Sequence, residues 1–235
     1  MDLVAAADQE GCLVIWKISK TTFHNLAVSK ICHYTITQGI PVFIYFIERG
    51  TKLLVACSTG CILVFSITIS TAPSSITSPS PSPMRHHPQQ YQLHLERTIL
   101  VDSAIQCGRV VDSDHVMIAT TNQLILLNHC DFITKVCIEI DCTMTIQHFD
   151  ISPDGQHAII ITDEILYYNL TTKECNAHLS TVAPVCGMCM TNEYLSFFLS
   201  QDRHVEKWVI DWEIECNKKE YFPPLSYHLL RDRLQ

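Results

Sequence analysis

The stretch Ser200-Gln201-Asp202-Arg203-His204-Val205-Glu206-Lys207-Trp208 reads as a strand end, a polar turn at Gln201-Asp202-Arg203 and a second strand closing on tryptophan. The same grammar occurs near the start, where Ala6-Ala7-Asp8-Gln9-Glu10-Gly11 leads into Cys12-Leu13-Val14-Ile15-Trp16. Strand–turn–strand units that recur at a steady interval are the sequence signature of a repeat architecture. Five runs end on a bulky residue, at Trp16, Phe65, Leu127, Tyr168 and Trp208, with spacings of 49, 62, 41 and 40 residues. A repeat of four short antiparallel strands takes roughly 40–45 residues. The long interval contains residues 70–90, STAPSSITSPSPSPMRHHPQQ, whose Ser/Pro content excludes a central strand. Without those 21 residues the interval falls to 41.

Helical periodicity is nearly absent, and β-branched and aromatic runs bounded by Gly, Asp, Asn, Ser or Pro dominate, which is the strand signal. Each repeat divides into strands a to d. The second takes Val42–Ile47, Leu53–Ser58, Ile62–Ile67 and, past the insertion, Leu93–Ile99. The third takes Ile105–Val111, His115–Thr120, Leu124–Asn128 and Lys135–Ile140. The fourth takes Gln147–Ile151, Ala158–Thr162, Ile165–Leu170 and Glu174–Leu179, and the fifth Val185–Met190, Tyr194–Leu199, Val205–Ile210 and Glu213–Cys216. The first repeat lacks strand a, because Leu3–Ala7 already serves as b, so the expected total is 19 strands.

SQDRHVEKW, together with Phe149-Asp150-Ile151-Ser152-Pro153-Asp154-Gly155-Gln156-His157 between strands a and b, resembles the WD-repeat β-propeller family over residues 2–216. Ser-Pro-Asp-Gly is also turn chemistry in its own right: Pro presets φ and Gly accepts a positive φ. The chain departs from the family in lacking a Gly-His pair before strand a and a Trp-Asp at strand c. The expected fold is therefore all-β: a WD-repeat-like propeller of four-stranded antiparallel blades, about 4.75 of them, over 1–216, with 70–90 as a loop insertion and 217–235 as a tail. A ring of this kind usually needs seven blades, less often five, six or eight, to close. Three readings follow: a fragment of a longer protein, a small ring closed by a tail strand such as Ser226–Leu230, or an open ring that a partner completes.

Composition narrows the function classes. Hydrophobic residues make up 47% and charged residues 17%, the balance of a folded globular chain. Sixteen Lys+Arg against 24 Asp+Glu give a net charge of −8, against the clustered cations that a direct grip on nucleic acid needs. No apolar run reaches membrane-spanning length, and no cationic segment precedes an apolar stretch at the N-terminus, so the expectation is an intracellular protein, cytoplasmic or nuclear, without membrane insertion and with reduced thiols.

Cys175-Asn176-Ala177-His178 and Cys186-Gly187-Met188-Cys189 give C-x2-H-x7-C-x2-C, a spacing zinc can use. On regular strands, however, residues three apart face opposite sides, about 10 Å from each other. Core packing is the preferred account of Cys57, Cys61, Cys107, Cys186 and Cys189, and a structural zinc or redox role for Cys175, His178, Cys186 and Cys189 is the alternative. Hydrolase elbows, zincin motifs and phosphate-binding glycine loops are absent from the sequence. Asp150 and Asp154 read as turn formers. The expected function is thus a non-enzymatic, cofactor-free scaffold for protein–protein interaction in a larger complex. Its candidate face comprises Gln9, Glu10, Thr59-Gly60, Thr121-Asn122, Asp163, Glu164, Gln201, Asp202 and Arg203, neutral to acidic and suited to a basic peptide. Ser78, Ser80 and Ser82, each before proline in the insertion, are candidate phosphorylation sites.

Overall fold

The computed structural model describes residues 2–22, 25–70, 90–141, 144–179, 185–192, 195–200, 205–209 and 225–226. They form two compact units, Met1–Asp102 and Ser103–Gln235. In the first, β1 (Asp2–Ala7), β2 (Cys12–Thr22) and β3 (Asn25–Thr35) make a three-stranded sheet. β4 (Pro41–Ile47), β5 (Lys52–Cys57), β6 (Cys61–Ser70) and β7 (Gln90–Leu100) make a four-stranded one. In the second unit, β8 (Ile105–Val110) to β11 (Thr134–Glu139), β12 (His148–Ile151) to β15 (Glu174–Leu179) and β16 (Val185–Asn192) to β19 (Leu225–Ser226) form three four-stranded sheets. The strands between these are β9 (His115–Thr120), β10 (Gln123–Asn128), β13 (His157–Ile161), β14 (Ile165–Asn169), β17 (Leu195–Ser200) and β18 (Val205–Val209). Every pairing is antiparallel and each sheet keeps its strands in chain order.

The described strands number 19, and the first sheet lacks strand a, as the repeat arithmetic predicts. The last place differs. Residues 213–216 lie outside the described residues, and the strand beside β18 is Leu225–Ser226, with Glu206 opposite Ser226 and Lys207 opposite Leu225. The Ser/Pro insertion is also shorter at its edges than expected. β6 runs on to Ser70 and β7 begins at Gln90, because Thr68 and Ile69 continue the β-branched run and find ladder partners in Gln92 and Tyr91.

Strand alternation explains the cores. In the first unit Leu53, Val55 and Cys57 of β5 and Leu63 and Phe65 of β6 face Leu13 and Ile15 of β2, with Tyr34 set edge-on to Phe65 at 4.8 Å. In the second unit β13 serves two cores at once. Ala158 and Ile160 pack with Met117, Leu124 and Ile138, while Ile159 and Ile161 pack with Tyr167, Val185 and Met190. Each fully buried Ile or Leu here contributes about 1.5–3 kcal/mol, so a one-residue slip of β13 would exchange two full sets of core side chains.

The ladders share a defect. Between strands c and d the register breaks at Ile15/Trp16, Val64/Phe65, Leu124/Ile125 and Tyr167/Tyr168, leaving Ile31, Glu96, Cys137 and Asn176 without an opposite residue. Between strands a and b a similar break leaves Val42, Gln106 and Cys186 unpaired. These are β-bulges, which bend the strand and raise its twist. Their recurrence at matching places is a backbone repeat that side chains alone do not display.

Candidate functional site

The candidate face divides between the units. In the first, Gln9 and Glu10 are exposed in the β1–β2 turn. Asp8 shapes this turn: its Oδ1 accepts the amides of Glu10 at 3.0 Å and Cys12 at 2.8 Å. Gly11 closes it at φ 83°, where a Cβ would collide with the Ile36 carbonyl. At the same end, Gly60 donates its amide to the Cys57 carbonyl at 3.1 Å, and the Thr59 hydroxyl donates to the Gln38 carbonyl. In the second unit the Thr121 and Asn122 carbonyls accept the amides of Ile146 and Ile140 at 2.8 and 2.9 Å. Thr162 fixes the Asp163-Glu164 turn, its Oγ1 accepting the Glu164 amide at 3.1 Å while its own amide donates to the Glu164 carbonyl at 2.8 Å. Such side-chain caps hold turns in one conformation before any ligand arrives. Gln201, Asp202 and Arg203, and the insertion serines Ser78, Ser80 and Ser82, lie outside the described residues.

Asp154 behaves as a turn former. Its carboxylate accepts the Gln156 amide at 3.0 Å and the Ser152 hydroxyl. Desolvation pushes its pKa up, but these hydrogen bonds and the nearby His157 outweigh it and hold the group below the usual carboxylate value. Asp150 does something else, and here the turn expectation is corrected. Its side chain is only 3% exposed, and it joins the first strands of three sheets. Arg109 on β8 grips it as a fork, with Nε 2.8 Å from Oδ1 and Nη2 3.1 Å from Oδ2. Met190 on β16 donates its amide to Oδ2 at 2.8 Å, and the neighbouring Ile151 amide donates to Oδ1 at 2.9 Å. Four donors therefore meet one buried carboxylate, the condition under which a buried charge is tolerated.

The separations are informative: Arg109 precedes Asp150 by 41 residues and Met190 follows it by 40. These are the spacings of Leu127, Tyr168 and Trp208, so the three residues hold the same position in successive repeats. That periodic coincidence of an Arg with an Asp was the available sequence signal, and reading Asp150 only with its neighbours hides it.

The cysteines separate into classes. Cys57 and Cys61 are buried, and burial, followed by the proximity of Cys61, pushes the Cys57 thiol up to about 11. Burial does the same to Cys107, to about 11, against a small opposing hydrogen bond from the Phe149 backbone. Cys189 departs from the core expectation: it is exposed, because its place on β16 alternates away from buried Met190. Cys175 packs against the core beside Tyr168. The bulge at Asn176 interrupts the alternation assumed between Cys175 and His178. The side chains of His178 and Cys186 lie outside the described residues. Among the described residues no group of three His, Cys, Asp or Glu is placed to hold a metal.

Comparison with known proteins speaks to fold. No family model matches the sequence, and no curated protein matches it. By structure, 1160 solved chains match, too many to select a task. One is the crystal structure of the β-propeller domain of Cps50 (Swd1) from Myceliophteria thermophila, with a TM-score of 0.58 and 12% identity, covering 94% of this chain and 65% of that one. The chain thus spans less than two-thirds of the solved chain it matches. Sheets of four antiparallel strands in chain order and this likeness together give the fold as that of a β-propeller.

Proposed function

We propose that this chain is a non-enzymatic scaffold of the WD-repeat kind, working inside the cell as part of a larger assembly, with a partner that recognises the turns between strands b and c. The observation that carries this is the capping of those turns. Asp8 and Thr162 fix backbone loops whose outward residues, Gln9, Glu10 and Asp163, are exposed and either uncharged or acidic. A preformed turn saves the ordering cost of binding, and acidic exposed groups favour a basic partner segment. Propellers present such turns on rigid sheets, and the fold likeness supports a binding role without naming a ligand.

The test is fluorescence anisotropy of the full chain with a lysine-rich peptide and a neutral peptide of equal length. The basic peptide should bind preferentially and lose about tenfold in affinity between 50 and 300 mM salt, as exposed charge pairs do. Glu10→Lys should weaken it severalfold. Salt-independent binding, or no saturable binding, would refute the proposal.

A further inference from the structure

The turn between β4 and β5 holds a residue that neither the fold nor the proposed face accounts for. Glu48, Arg49 and Gly50 have φ of 48°, 56° and 85°, three left-handed residues in succession. Left-handed backbone costs about 1–3 kcal/mol at each residue with a side chain, and such strain persists where something selects for it. Glu48 has a local role: with Glu96 it holds Lys52 Nζ, at 2.8 and 3.2 Å. Arg49 is exposed and has no hydrogen-bond or ion-pair partner among the described residues. It lines a cleft whose walls are Leu3, Phe46, Ile67, Ile69 and Tyr91. Ile69 is 47% exposed there, bare enough to receive a partner side chain. Lys17 lies 5.8 Å from the centre of the Tyr91 ring and adds a second cation beside the cleft. Glu48 and Glu96 share the single cation of Lys52, so with Arg49 and Lys17 three cations stand against two carboxylates around the cleft, and Asp2 alternates onto the opposite face of β1 from Leu3. In a chain of net charge −8 this is a locally cationic, apolar-walled groove.

We propose that this cleft docks a partner-protein segment carrying an aspartate or glutamate beside a bulky aliphatic residue. The aliphatic side chain fills the groove, and the carboxylate meets the exposed Arg49 guanidinium, whose planar fork suits a carboxylate. The site is independent of the capped turns. It lies at the Lys52 end of β5, while Thr59-Gly60 follows the Cys57 end, about 20 Å away along a six-residue strand. It also has the opposite charge preference.

The experiment uses the full chain and fluorescein-labelled decapeptides, acetylated and amidated at their ends, built around Leu-Glu, Leu-Gln or Leu-Lys. The Leu-Glu set should bind about tenfold tighter than Leu-Lys, the size of one charge-assisted hydrogen bond. Arg49→Gln should remove that advantage, Arg49→Lys should keep part of it, and Glu10→Lys should leave it intact. Arg49→Gly supplies a variant that accepts the left-handed backbone: it should lose the peptide while unfolding at the same or a higher temperature. Equal binding of Leu-Glu and Leu-Lys, wild-type affinity in Arg49→Gln, binding only to peptides with a free C-terminal carboxylate, or a loss of stability in Arg49→Gly would each overturn the proposal.

Discussion

Removing the Asp150 carboxylate with Asp150→Ala leaves two backbone amides, of Met190 and Ile151, without their acceptor. A buried unsatisfied donor costs about 1–3 kcal/mol. Arg109 also loses its partner, but its side chain is 49% exposed and rehydrates, so that term is about 0–1 kcal/mol. The sum centres near 4 kcal/mol, nearly all of it from the two stranded amides. Arg109→Ala is milder. The carboxylate keeps both amide bonds and loses only the fork, which amounts to about 2 kcal/mol at a half-exposed partner. The double variant should be no worse than Asp150→Ala alone, because the arginine has nothing left to grip. Equilibrium urea unfolding followed by circular dichroism measures all three, and amide hydrogen exchange gives a local readout. Exchange at Met190 and Ile151 should accelerate in Asp150→Ala and stay near wild type in Arg109→Ala. If Arg109→Ala costs as much as Asp150→Ala, or if Asp150→Ala costs under 1 kcal/mol, the account of amides dominating over ion pairing is wrong.

At pH 7.5, iodoacetamide followed by peptide mass spectrometry should modify exposed Cys130 and Cys189 well before Cys57 and Cys107, whose burial keeps the reactive thiolate scarce. Asp112 and Asp154 hold pKa values below the ordinary aspartate value of 3.8; for each, desolvation is opposed and outweighed by hydrogen bonds and a histidine. A depressed folded pKa gives stability that is present above the unfolded value and lost as pH falls through the folded one. The unfolding midpoint should therefore show no loss from these two groups at neutral pH and decline below 3.8, with Asp154→Asn reducing that decline. Gly11→Ala should cost at least about 2 kcal/mol in thermal unfolding, from positive φ plus the Ile36 collision, whereas Gly50→Ala, at φ 85° in open space, should cost about 1.

Much of the fold was legible because alternation and turn residues are local. His115–Thr120 and Glu174–Leu179 were read from the sequence with the bounds the structure gives them. Strand ends were less so where β-branched residues ran into Ser/Pro sequence, as at Ser70 and Gln90. The site was less legible for a physical reason. Asp150 looks like part of Ser-Pro-Asp-Gly turn chemistry until its partners 40 and 41 residues away are known, and no neighbouring residue reveals them. Arg49 gave no signal either, since the left-handed backbone it adopts is not encoded in its residue type. Cys189 misled because cysteine packs well in cores, yet the pleat of β16 turned this one outward.

Four of the outer ladders carry, at matching places, a residue with no counterpart, and this makes blade length elastic. Deleting Cys137, for example, would leave Ile138 still opposite Leu124 and Val136 still opposite Ile125, so the ladder would close up and every other side chain would keep its side of the sheet. A regular strand has no such slack, since losing one residue from it inverts all that follow. Repeats built this way can drift by one position in an outer strand and still deliver the same faces to their neighbours. The register of the sheet is protected by its irregularity.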